Sequence, residues 1–308
     1  MRLMTLESQR RGGWVQRVRC GGWLAMLLTC AVGCGPEGAL AVESEEPGRT
    51  SHAVLAGNGL SLNGLSLNGL HLNGLSFNGL SLNGLSTTSF RDWFNQDRSL
   101  NDQVMKYVVA CAVPVGESRT YTDSSTSTTY TWSGALGLAP GWSSGQTATT
   151  AELQVVSACL AAHTNKYSLH VTISLLGLDG AGNTIPYTSQ ELTDYSVREA
   201  CFFGNLFDGS TGTFGANDGL TLASNESTAR VCGLAGSGGA SQCSPMVYVG
   251  SCSQYCTQDA TSTFYTSCTY NGVTYRPLTT RMNPADIYRC GDGVCQATES
   301  SGTCAADC

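Results

Sequence analysis

The chain has 308 residues, of which only 13% are charged, and a formal net charge of −7. It holds 37 glycines and 15 cysteines, and Ser and Thr crowd its second half. Such a composition argues for a secreted, β-rich protein and against a helical cytosolic enzyme.

Residues 1–33 read as a signal peptide and stand outside the fold. Arg2, Arg10, Arg11, Arg17 and Arg19 face a single acid, Glu7, and the apolar run WLAMLLTCAV (23–32) is too short for a permanent span. The run ends in AVGC, with Cys34 last. Small residues before a cysteine at this place resemble a bacterial lipobox, although Ala31 stands where Leu is more usual. The resemblance implies cleavage before Cys34, a diacylglyceryl group on its sulfur, and a lipid-anchored place in the bacterial cell envelope, at the outer membrane or cell surface. Without residues 1–33, 11 basic and 22 acidic residues remain, a net of −11. A surface of that sign repels phosphate backbones, so nucleic acid is not expected as a partner.

Twelve cysteines follow Cys34: Cys111, Cys159, Cys201, Cys232, Cys243, Cys252, Cys256, Cys268, Cys290, Cys295, Cys304 and Cys308. An even count in an exported chain predicts a disulfide framework whose connectivity the sequence leaves open. No C-x-x-C pair supports structural zinc instead.

Residues 34–57 read as a flexible tether, with Glu43, Glu45, Glu46, Pro36 and Pro47 among small residues. Six Asn-Gly-Leu units then recur every five residues, within 58–87. In an extended chain Leu60 and Leu62 share one face, and Asn-Gly supplies a tight turn. The stretch resembles a pentapeptide-repeat β-solenoid, though Asn58 stands where that family prefers a small residue. Six units are too few to bury an apolar face alone, so the repeat is expected to dock on its own domain, another copy or a partner.

From 88 to 285 the pattern predicts an α+β domain, mainly antiparallel sheet with two or three helices. Ser99 and Asp102 suggest a capping box ahead of a helix with Val104, Tyr107, Val108 and Cys111 inward. Thr149 and Glu152 cap a second helix with Leu153, Val156, Cys159 and Leu160 as its stripe. RTYTDSSTSTTYTWSGALGL reads as two strands around a turn, and YSLHVTISLLGLDGAGNTIPYT as strand, turn and strand. TSCTYNGVTYRPLTT is the clearest hairpin, turning at Asn271-Gly272. SVREACFFGNLF suggests an Arg198–Glu199 ion pair on a short helix, or alternatively a ligand-binding Arg198.

The succession YVVACAVPVGES, GALGLAPGW, VVSACLAAHTN and SVREACFFGNLF is similar to a family of myxobacterial secreted lipoproteins carrying NGL-type repeats. The resemblance covers most of 58–256 and implies an address and a fold, with no catalytic residues. Residues 290–308, CGDGVCQATESSGTCAADC, resemble short Cys-rich CGDGxC modules of exported proteins. In such modules Asp292, Glu299 and Asp307 stand where calcium can be held, with backbone carbonyls completing six to eight oxygens.

GWSSG (141–145) matches G-x-S-x-G with Ser143 in the nucleophile position. Pro140 precedes it and a helix cap comes only at Thr149, so a Gly/Ser loop is the expected structure. Only His163 and His170 follow Ser143 as bases. The expected function is therefore a membrane-anchored lipoprotein that binds a protein or carbohydrate ligand, with Tyr255, Tyr265, Tyr270 and Tyr275 either as contacts or equally as sheet filler. The alternatives are an exported serine hydrolase using Ser143, and a carrier whose repeat is modified.

Overall fold

The computed structural model describes residues 85–165, 171–208, 212–219, 246–287, 290, 295–296 and 299–308, and, by backbone alone within these or beside them, 55–58, 60–61 and 165. The signal peptide, Cys34, most of the tether and repeat, His170, Cys232, Cys243 and Asp292 lie outside the described residues.

The architecture is α+β, as expected. Three helices are substantial: α1 (Thr88–Gln96), α2 (Arg98–Ala112) and, after the single turn α3 (Pro140–Ser143), α4 (Thr150–Ala162). Two short ones follow, α5 (Ser189–Asp194) and α6 (Cys252–Tyr255). The main sheet has six strands: β1 (Leu55–Asn58), β6 (Val171–Gly177), β7 (Val197–Asn205), β8 (Gly212–Asn217), β9 (Val247–Ser251) and β13 (Leu278–Met282). Their order is β1-β6-β13-β7-β8-β9, antiparallel except for β8–β9. The strand latest in sequence thus inserts between β6 and β7.

Three smaller sheets complete the set. β3 (Ser118–Asp123) and β4 (Thr128–Ser133) form a hairpin. β10 (Cys256–Gln258), β11 (Tyr265–Tyr270) and β12 (Val273–Tyr275) form a meander. β2 (Leu60–Ser61) lies parallel to β5 (Thr164–Asn165). The β11–β12 turn uses Asn271 and Gly272 at φ 50° and 78°, the pair of positive angles that matches the twist of its strands.

The cap of α2 is a correction. Asp97, not Ser99, accepts the Leu100 N–H at 3.1 Å, because the chain leaves α1 extended at Asp97 and leaves no turn between the helices. Asn101 fastens the junction by donating to Trp93 O at 2.8 Å. The expected inward residues Val104, Tyr107, Val108 and Cys111 are all buried. Phe90 and Phe94 of α1 pack edge-on against Tyr121 and Tyr130 of the hairpin at 4.9 and 4.8 Å. Trp132 there donates its indole N–H to Asp102 at 2.7 Å.

The Thr149–Glu152 capping box forms as expected. The single stripe on α4 does not: Val155, Val156, Ala158, Cys159, Leu160, Ala161 and Ala162 are all fully buried, and Leu153 is only half-buried. A helix apolar on every side is one enclosed on every side, and α4 sits between α2 and the sheet, with Cys111–Cys159 bonding the two helices.

Two further readings change. After β6 the chain makes only an isolated bridge, Leu178 to Thr184, before turning into α5. Asp179 accepts the Ala181 and Asn183 N–H groups and closes that turn on itself. SVREACFFGNLF is the strand β7, near the centre of the sheet. Its run of apolar residues lacks alternation because both faces of the sheet are covered.

The repeat meets this domain at both ends. β1 adds to β6 from Leu55 to Asn58, and Leu60–Ser61 pairs with β5. Leu85, the leucine of the sixth unit, is 1% exposed and lies in the core with Phe90 and Val104.

Candidate functional site

GWSSG is explained by what it wraps. Glu152, 2% exposed, accepts the Gly141 and Trp142 N–H groups on one oxygen at 2.7 and 3.0 Å. Its other oxygen accepts the Thr149 N–H and hydroxyl at 2.8 and 3.1 Å. A buried carboxylate is tolerated when it is hydrogen-bonded this fully. Gly180 of the DGAGN turn presses on the same group, where a Cβ would come within 2.4 Å of Glu152 Cγ. Ser143 donates its hydroxyl to Pro140 O at 3.1 Å, and Arg119 holds Ser143 O at 2.6 Å.

His163 stands at the opposite end of α4. It is 3% exposed, with Nδ1 donating to Cys159 O at 2.7 Å and its ring 5.5 Å from that of Tyr107. The 13-residue helix separates it from the Glu152 turn by about 20 Å. The structure therefore does not bring Ser143 and His163 together, and His170 is outside the described residues.

Ten of the twelve predicted cysteines form five bridges: Cys111–Cys159, Cys201–Cys252, Cys256–Cys268, Cys290–Cys304 and Cys295–Cys308. Three groups of ligand-type side chains gather among the described residues, around Cys111, Cys201 and Cys290, but every cysteine in them is bonded to another. A disulfide sulfur is not the thiolate a metal needs. In the C-terminal module Glu299 spends one oxygen on the Gln296 N–H at 3.1 Å, while its other is buried without a partner. That orphaned oxygen is compatible with a cation. Asp307 lies against the Cys304 sulfur, 3.3 Å away.

Tyr265 and Tyr275 are 3% and 4% exposed, and Tyr255 and Tyr270 are half-buried. They are sheet filler: Tyr270 packs 4.7 Å from Phe214, and Tyr275 5.8 Å from Phe203.

The polar residues that do gather lie on the sheet face opposite α4. Arg198 is bidentate to Asp218 at 2.9 and 3.1 Å, in place of the expected pairing with Glu199, and donates a third N–H to Ser262 O at 2.7 Å. A bulge between Thr280 and Arg281 makes this possible, since β13 skips Glu199 and sets Arg281 opposite Arg198. Tyr265 donates its hydroxyl to Asp218 at 2.8 Å. On the other side of Arg281 the register partner is Ser174, and next to Ser174 is Glu191 of α5. Glu191 is 4% exposed and neither carboxylate oxygen has a hydrogen-bond partner. Burial pushes its pKa up, and the nearby Ser174 and the Thr188 backbone only partly offset this. Burial also pushes the Arg281 guanidinium down, and the charge of Arg198 adds to it.

Sequence reasoning singled out Arg198 and missed Arg281. The available signal was a cationic residue between Thr280 and Met282, in a strand whose other residues are all buried.

The site and fold define a disulfide-stapled α+β domain with a charged row across one sheet face. No protein-family model, curated protein or solved structure matches the chain. Among the described residues no helix is long and apolar enough to cross a membrane.

Proposed function

We propose that this chain is an exported, lipid-anchored protein of a bacterial cell envelope whose disulfide-bonded domain binds a ligand outside the membrane. The observation that carries the reading is the five-bridge framework, because such bridges persist in oxidising compartments. Cys34 carries the lipid after removal of residues 1–33. The tether ends where β1 joins the sheet, and the repeat departs from β2 and rejoins the core at Leu85. A segment pinned at both ends suits a docking element better than a free spacer. Calcium in the C-terminal module, held by Asp292, Glu299 and Asp307, belongs to the same proposal.

The test is intact and peptide mass spectrometry of the native protein from the membrane fraction, before and after reduction. The expected result is a chain starting at diacylglyceryl-Cys34, with six bridges that include the five above, and an unmodified repeat. A different N-terminus overturns the anchor. Added mass on the repeat makes the repeat a modified cargo and the domain its carrier.

A further inference from the structure

Arg281 and Ser174 sit side by side on the sheet face opposite α4, and the buried Nε of Arg281 has no acceptor there among the described residues. Arg281 and Ser174 are partners across β6–β13, and Arg281 and Arg198 across β13–β7. Partners in an antiparallel register share a face. Arg198 is fully engaged, by Asp218 and by Ser262 O. Asp218 is likewise taken up by Arg198 and the Tyr265 hydroxyl. Arg281 is half-buried, its Nε is buried without an acceptor among the described residues, and Asp218 acts on it through space. The Ser174 hydroxyl beside it is fully buried and lies against the Glu191 carboxyl group, which burial pushes toward its neutral form. Leaving a buried donor unmade costs about 1–3 kcal/mol, and more for a charged one.

We infer that this end of the sheet, around Arg281, Ser174 and Tyr187, is a binding site for a singly charged organic carboxylate. The guanidinium fork matches a carboxylate's two oxygens. Charge favours a monoanion: Asp218 is bonded to Arg198 and reaches Arg281 only through space, and burial pushes Glu191 toward its neutral form, so at most one positive charge is left to match. A dianion such as phosphate or sulfate would retain uncompensated charge there. Tyr187 gives the ligand's carbon body a surface. Its half-buried ring is set edge-on against buried Phe264 at 6.4 Å, and it stands close enough to Arg281 to interact electrostatically.

The inference rests on the domain being a binding domain and not on the lipid. A mass that starts elsewhere than Cys34 leaves it standing, and a failure to bind carboxylates leaves the anchor standing.

The experiment uses the full mature chain in detergent and isothermal titration with phenylacetate, its neutral counterpart 2-phenylethanol, and inorganic phosphate and sulfate. Phenylacetate is expected to bind, and the other three not to bind over the same range. Arg281→Gln should weaken phenylacetate by about tenfold or more, with a melting temperature equal to or above the parent's, because a half-buried cation without a bonded acceptor at Nε has been removed. Equal binding of acid and alcohol, preference for the dianions, or undiminished binding by Arg281→Gln overturns the site. If that variant fails to fold, the acid-against-alcohol comparison on the parent chain decides alone. A peptide ending in Phe, with a free or an amidated C-terminus, separates the two sources of the chemistry. Tighter binding of the free-ended peptide than of phenylacetate marks a protein terminus as the ligand, and the reverse marks a small acid.

Discussion

The face of the main sheet that carries α4 and the face that carries Arg198 and Arg281 are held by different means. On the first, Phe202, Leu278, Met282 and Ile173 meet an enclosed helix, and the core is continuous with Trp142 and the α1 aromatics. On the second, a smaller cluster of Phe203, Phe214, Tyr265 and Tyr275 is tied by Cys201–Cys252 and Cys256–Cys268, whose nearest sulfurs are 3.6 Å apart. Apolar area stabilises the first face. The second has too little of it, and bridges and hydrogen-bonded charges supply the rest. The contrast shows why the unmatched polar groups collect where they do: a face fixed by covalent staples tolerates an unfavourable charge that a face relying on packing alone does not.

The largest expected effect tests the packed face. Trp142→Ala, at a fully buried site 5.4 Å from the Phe207 ring, should cost about 4 kcal/mol in urea unfolding. A cost comparable with a surface substitution would remove the basis for calling that face packing-held. Next, replacing Cys201 and Cys252 together by Ser opens a loop of 51 residues, for an expected loss of about 3–4 kcal/mol. Hydrogen exchange should show β10–β12 losing protection before α2 and α4; simultaneous loss would mean that the two faces are one cooperative unit.

Arg198→Ala strands Asp218, 4% exposed, without its cation. The pair would ordinarily cost 3–5 kcal/mol to break. Arg198 is 28% exposed on its side chain, so solvent screening brings the expectation to about 2 kcal/mol, read from the same unfolding curves. Glu191→Gln has the opposite sign. Burial raises the folded-state pKa of Glu191 above its unfolded value, so the folded chain binds the extra proton and stability falls as pH rises from the unfolded pKa through the folded one. The variant should gain about 1 kcal/mol at neutral pH and flatten the stability–pH curve across that window. A parent curve that rises there instead would refute the assignment.

The smallest test concerns the α2 cap. Asp97→Ala should cost about 1 kcal/mol and Ser99→Ala almost nothing. Equal losses would restore the capping box that begins at Ser99.

Local rules carried far into this structure. Capping at Thr149–Glu152, the Asn271-Gly272 turn and the β3–β4 hairpin depend on neighbours in the chain, and each formed as its residues indicate. Ser99 misled because a helix directly upstream made Asp97 the residue at the boundary. β7 misled because Arg198-Glu199 looks like a neighbouring ion pair, while the partner of Arg198 lies twenty residues away at Asp218. Arg281 went unread for the same reason, since its meaning depends on Ser174 and Arg198, which only pairing of distant strands places beside it.

By itself, then, the sequence determined the α+β class, the bridging of the ten described cysteines, the Thr149–Glu152 cap and the Asn271-Gly272 turn, because periodicity and turn chemistry act over a few residues. Only the tertiary structure decided which cysteines join and that β13 lies between β6 and β7. It alone also decided that a bulge beside Glu199 sets one guanidinium next to another that already has its carboxylate. Those outcomes depend on strand order and register, which no short stretch of sequence encodes.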